Sequence, residues 1–126
     1  MTAAKPFDLD ALLMRIISTL RESFDQQGSE VAHLKTIGIH GGSFGVANLV
    51  SSANEPELSL PSRRRVADAE VIVNARVALD PAVLEKGVRK TVAGVCADHQ
   101  AKAEFMSVQS FRPGRPQPTH RYAMAK

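Results

Sequence analysis

Leu9, Leu12, Leu13, Ile16, Ile17, Leu20 and Phe24 fall three or four residues apart, laying one apolar stripe along an amphipathic helix. Asp8 supplies an N-cap, Phe7 stands where it can staple onto Leu12, and Gly28 supplies a left-handed residue that ends a helix. The pattern therefore predicts a first helix from about Leu9 to Gln27. Val31 to His40 and Phe44 to Ser51 read as two strands joined at Gly41-Gly42, a hairpin signal whose register is left open because both faces mix apolar and polar residues. Ala69, Val71, Val73, Ala75, Val77 and Leu79 then alternate with Glu70, Ile72, Asn74, Arg76 and Ala78, the period of a strand with one buried face.

Asp80-Pro81 places a capping carboxylate before a proline at the first helical position, and Leu84, Val88, Val92, Val95 and His99 continue at helical spacing. A second helix is expected from about Pro81 to Ala101. Gly87 and Gly94 inside it each cost about 1 kcal/mol relative to Ala, so close packing against a sheet is expected in return. Phe105 to Phe111 reads as a last strand, and Pro113, Pro116 and Pro118 then argue against any continued ladder. Residues 52–68 show no hydrophobic period and read as a long mobile loop.

These elements predict an α+β fold in the order α-β-β-β-α-β, with a four-stranded mixed sheet and both helices packed on one face. The third strand, second helix and last strand form a crossover unit with parallel outer members. The chain is expected to be a single domain over 1–126, with a folded body over 7–112 and a basic, proline-rich tail over 113–126. The sheet face without helices is where a partner, a ligand or a second copy would sit, which makes a homodimer an expected assembly.

At 126 residues, 44% hydrophobic and 23% charged, the chain has ordinary globular usage and is long enough for one core. Its one cysteine, Cys96, excludes an internal disulfide and a four-cysteine zinc site. With no apolar run of the roughly 18 to 20 residues that a membrane span needs, and no export signal, a cytoplasmic protein is expected. Charge is distributed unevenly. Between Phe105 and Lys126 there are Arg112, Arg115, Arg121 and Lys126 with His120, and no Asp or Glu, while the rest of the chain carries slightly more acid than base. That segment therefore holds the whole formal excess of +3.

Arginine's planar fork suits carboxylate and phosphate groups, so Arg112, Arg115, His120 and Arg121 are the leading candidates for binding an anion or an acidic partner. Arg63, Arg64 and Arg65 read either as a solvated loop cluster or as part of one anion-binding rim shared with the tail. Cys96 and His99 lie at i, i+3 on a helix, adequate for two metal ligands but lacking a third, and an ordinary packed helix end is the alternative. His33 and His40 read as half-buried strand residues. His40-Gly41-Gly42-Ser43-Phe44-Gly45 contains glycines that could cradle an anion, but strand rather than helix follows it, so it reads as a hairpin tip. One Tyr and no Trp leave few stacking surfaces for single-stranded nucleic acid, which makes nucleic acid an unfavoured partner.

Three strings carry a resemblance. Glu30-Val-Ala-His-Leu-Lys-Thr, Val73-Asn-Ala-Arg-Val77 followed by Asp80-Pro81, and Ser110-Phe-Arg-Pro-Gly-Arg-Pro-Gln-Pro-Thr-His-Arg121 resemble the C-terminal region of CobW-like P-loop GTPases, over most of Leu9 to Arg121. The chain departs from that family in having neither Gly-x-x-x-x-Gly-Lys-Ser/Thr nor Cys-x-Cys-Cys, so GTP hydrolysis and the family's metal motif do not carry over. The resemblance implies a freestanding accessory module acting with a separate GTPase in metal or cofactor handling, with the tail arginines and His120 as its matched positions.

The leading expectation is therefore a non-enzymatic interaction domain, with no cofactor and no catalytic residue assigned. A small anion-binding protein or enzyme using the tail arginines is the second reading, and a nucleic-acid-binding module the third.

Overall fold

Asp8 and Asp80 open the two helices in the same way. In the computed structural model, which describes residues 6–29, 31–50, 55–77, 79–112 and 115–125, Asp8 Oδ1 accepts the Ala11 N–H at 3.1 Å and Asp80 Oδ1 accepts the Ala82 N–H at 2.9 Å. Helix α1 spans Leu9–Gln26 and helix α2 spans Pro81–Asp98. Each ends in paired bonds around a left-handed residue. At α1, Gly28 (φ 71°) bonds to Asp25 O and Ser29 to Phe24 O; at α2, Gln100 (φ 58°) bonds to Ala97 O and Ala101 to Cys96 O.

The strands are β1 (Phe7–Asp8), β2 (Val31–His40), β3 (Ser43–Leu49), β4 (Glu57–Leu60), β5 (Arg65–Val66), β6 (Asp68–Val77), β7 (Lys102–Arg112) and β8 (Arg115–Ala125). β1 and β5 make a small two-stranded sheet, and the other six form one sheet in the order β4-β3-β2-β6-β8-β7. Every described pairing is antiparallel. The fold is thus α+β as expected, but the sheet is six-stranded and antiparallel rather than four-stranded and mixed.

The segment that follows β7 accounts for much of this difference. β6 and β7 do run in the same direction across α2, but they are not neighbours, because β8 lies between them and is antiparallel to both. A helix about 10 Å across spans two strand spacings of about 4.8 Å, so a crossover through α2 leaves room for one inserted strand. Within the basic, proline-rich tail expected over 113–126, Arg115–Ala125 is an interior strand. Its prolines are accommodated because β6 stops pairing with β8 at Asn74↔Thr119. Pro116 and Pro118 lie beyond that point, where a missing N–H opens no rung toward β6.

The mobile loop expected over 52–68 is also corrected for the described residues 55–68. β4 pairs with β3, β5 pairs with β1, and Leu9 N–H donates to Arg64 O at 3.1 Å. Between them the Asp10 carboxylate accepts the Ser62 and Arg63 N–H groups, both at 2.8 Å. Strands of four and two residues are too short to display a period, so backbone bonds and one carboxylate order this segment.

Both helices share one core with alternate strand residues. Leu12, Leu13, Ile16, Ile17 and Leu20 of α1 and Leu84, Val88, Val92 and Val95 of α2 are buried with Leu34, Ala47, Leu49, Val71, Val73, Ala75 and Tyr122. Burying each large aliphatic side chain stabilises the fold by about 1.5–3 kcal/mol. Thr36 is the one buried polar residue among those described, and its hydroxyl donates to Leu13 O at 3.2 Å, tying β2 to α1. Gly87 and Gly94 do not pack on the sheet as expected. A Cβ at either position would meet nothing within 4 Å, and both line a groove open to solvent between α2 and the Arg15, Thr19 and Ser23 side of α1.

Candidate interaction surfaces

Beyond Asn74↔Thr119, β8 is paired with β7 alone, through Ser110↔Pro118 and Arg112↔Arg115, while β6 continues to Val77 beside β2, so β7 and β8 end as a two-stranded ribbon no longer bonded to β6. A register shift between Ser110 and Arg112 falls within this ribbon, and another, between Phe105 and Ser107, falls where β8 is still bonded to β6. Arg112 and Arg115 pair at its end. His120 and Arg121 lie further back, opposite Val73 and Ile72 of β6. The four tail candidates therefore belong to one strand pair, two at its tip and two within the sheet. Pro113 and Gly114 lie outside the described residues.

Arg63, Arg64 and Arg65 sit at the other end of the sheet. Their segment contacts Gly45, where an added Cβ would lie 3.2 Å from Ser62 Cβ and 2.7 Å from Asp10 Oδ1. Gly45 is in register with Gly38, then Val71, then Tyr122. Seven residues of β8 separate Tyr122 from Arg115, roughly 23 Å at about 3.3 Å per residue. The end of β8 at Arg115 is therefore remote from the triplet.

Within the triplet, Arg63 adopts φ 56° to bring its N–H to Asp10, and the Arg65 guanidinium donates to Pro6 O at 3.1 Å. Burial acts to raise the Asp10 pKa, but the N–H bonds from Arg63 and Ser62 outweigh it and hold this carboxyl below its ordinary value. Asp10 is thus a structural clamp that sequence reasoning overlooks, because its partners are more than fifty residues away.

Cys96 is fully buried, and burial pushes its thiol pKa up to about 12, so the neutral thiol persists at physiological pH. His99 engages Val95 O through Nδ1 at 3.0 Å. Among the described residues no cluster of three or more His, Cys, Asp or Glu is placed to hold a metal. His40 Nδ1 lies 2.9 Å from Asp68 O and 3.1 Å from Asp68 Oδ1, joining the end of β2 to the start of β6. The His40–Gly45 string is the β2–β3 hairpin, with φ 60° at Gly41.

The second surface is the sheet face opposite the helices. Strand residues that alternate with the core set are Lys35, Ile37 and Ile39 on β2, Val46 and Asn48 on β3, and Asp68, Glu70, Ile72, Asn74 and Arg76 on β6. None of them belongs to the core cluster. Leu60, Val46, Ile37 and Ile72 align in register across four strands as one apolar row. Phe44 is 52% exposed, Val50 59% and Leu60 43%. Within the row Leu60 is exposed, Val46 and Ile37 are half-buried and Ile72 is buried. The row's signal in the sequence is the mixed character of both faces of β2 and β3, which a strand covered on one side has no need of.

No helix is long and apolar enough to cross a membrane among the described residues. No family model, curated protein or solved structure matches the chain.

Proposed function

We propose that the chain is a non-enzymatic interaction module that binds an acidic protein partner through the tip of the β7–β8 ribbon. The observation that carries this reading is the coincidence of geometry and charge. The end of the sheet where β7 and β8 pair only with each other lies within the stretch, Phe105 to Lys126, in which basic residues have no acidic counterpart. A ribbon fixed at its base by β6 holds Arg112 and Arg115 in register with each other, so less backbone ordering entropy is lost on binding than from a free tail. Acidic surfaces meet such a tip at rates that fall with ionic strength. A CobW-like GTPase supplied as a separate chain is the partner that the sequence resemblance implies, with the module in an accessory role in metal or cofactor handling.

Affinity purification from native extract tests this. At low salt the wild-type chain is expected to retain a partner set that high salt releases. Arg112→Glu with Arg115→Glu, at unchanged circular dichroism and melting temperature, is expected to lose the same set. Equal recovery by the wild type and the doubly reversed variant contradicts the proposal.

One feature favours a second reading. A two-stranded ribbon is among the few elements that a DNA major groove admits, and this one is basic. Salt-dependent retention of labelled duplex nucleic acid by the wild type, lost on the same double reversal, would assign the ribbon to nucleic acid.

A further inference from the structure

We infer that the helix-free sheet face docks on a second copy of itself, forming a two-fold symmetric dimer with the apolar row Leu60, Val46, Ile37 and Ile72 along the axis. This surface is distinct from the ribbon tip, and the inference does not depend on what the ribbon binds.

The charge pattern of β6 identifies the occupant. On the helix-free face this strand presents, in order, Asp68, Glu70, Ile72, Asn74 and Arg76, so that acidic groups lie on one side of the central isoleucine and amide and base on the other. β2 places a base on the same side, with Lys35 in register with Asn74, and an apolar residue on the other, with Ile39 in register with Glu70. Face-to-face packing of two identical sheets requires a two-fold axis in the interface plane. If that axis runs along the apolar row, the strand direction inverts between copies. Arg76 of one copy then lies over Asp68 of the other, Asn74 over Glu70, and Lys35 over Ile39 beside Glu70, each relation occurring twice. An axis parallel to the strands instead keeps acids on the acidic side and bases on the basic side. Only the first arrangement joins the apolar rows and opposes the charges together.

The side chains are placed to serve. Asp68 has a side chain 71% exposed while it contacts His40, and Arg76 is exposed with no ion pair among the described residues. Lys35 can lay its apolar stem over Ile39 while its ammonium reaches the neighbouring carboxylate. The four-strand patch measures roughly 15 Å by 26 Å at ordinary strand dimensions. That is small beside the roughly 800 Å² per partner of a standard interface, so dissociation in the micromolar range is expected.

Arg76 and Asp68 are eight residues apart on one strand, roughly 26 Å, and cannot pair within a copy. A charge exchange therefore separates dimer contacts from internal ones. Sedimentation velocity from about 1 to about 200 μM is expected to show wild-type chain passing from monomer to dimer. Arg76→Asp alone and Asp68→Arg alone are each expected to weaken association at least tenfold. Arg76→Asp combined with Asp68→Arg is expected to restore it. Ile37→Asp is expected to abolish association, with circular dichroism confirming that the sheet is retained. A wild type that stays monomeric throughout, or a double exchange no better than either single change, overturns the inference. Arg112→Glu with Arg115→Glu is expected to leave the sedimentation profile unchanged, so failure here and failure of the ribbon proposal are read separately.

Discussion

Asp10 and Arg63, 53 positions apart, are joined by a 2.8 Å bond from the Arg63 N–H to Asp10 Oδ2, while Oδ1 accepts the Ser62 N–H at the same distance. One carboxylate in the first turn of α1 thereby fixes the segment that connects β4 to β5. Asp10→Ala is expected to lower stability by about 1–2 kcal/mol, since two charge-assisted bonds are lost at a partly exposed site. Asp10→Asn, which keeps one acceptor oxygen, is expected to lose less. Urea denaturation of the three proteins checks the order.

The same pair makes stability pH-dependent. Asp10 titrates below its ordinary value in the folded chain, so the unfolded chain binds the proton more readily. Its contribution is fully present above the unfolded pKa and is lost as the pH falls through the lower folded value. The stability difference between wild type and Asp10→Asn is expected to be constant from neutral pH down to about pH 5 and to shrink through the acidic range below it. Melting temperatures of both proteins across that range measure it. A difference that grows on acidification would contradict the clamp.

Gln100 holds the left-handed position that closes α2, at φ 58°, where α1 has Gly28. Glycine adopts this conformation without the Cβ clash that Gln suffers. Gln100→Gly is expected to stabilise the chain by about 0.5–1 kcal/mol. A loss of stability measured by chemical denaturation would show that the Gln side chain makes a compensating contact.

Gly94 is exposed on α2, and a Cβ there would meet nothing within 4 Å. Gly94→Ala is expected to add about 1 kcal/mol from helix propensity alone. Thr36→Val has the opposite sign: it keeps the shape but removes the hydroxyl that donates to Leu13 O, and is expected to cost about 1 kcal/mol. Equilibrium denaturation of both variants, with the m-value unchanged, tests the two assignments.

Much of the fold is legible where local rules and tertiary packing agree. The apolar stripe and two caps delimit α1 to within a residue at each end, Asp80-Pro81 marks the start of α2, and the alternation from Ala69 marks β6. β8 is not legible, because Pro116 and Pro118 locally read as strand breakers. What admits them is that β6 ceases to pair at Asn74, a relation between strands more than forty residues apart. The clamp at Asp10 is hidden for the same reason. Of the candidate surfaces, the basic segment stands out in composition, whereas the apolar row emerges only once register aligns Leu60, Val46, Ile37 and Ile72. Mixed polarity in β2 and β3 signals a second apolar face but leaves its alignment open.

Everything proposed for the ribbon depends on the C-terminal half of the acid-free segment, Arg115–Ala125, being a strand held between β6 and β7. Hydrogen–deuterium exchange of the isolated chain measures this directly. Amides from Thr119 to Ala125 are expected to exchange as slowly as those of β6, with faster exchange toward Arg115, where only β7 pairs with β8. Exchange across the whole of Arg115 to Ala125 at the rate of an unstructured peptide would contradict it.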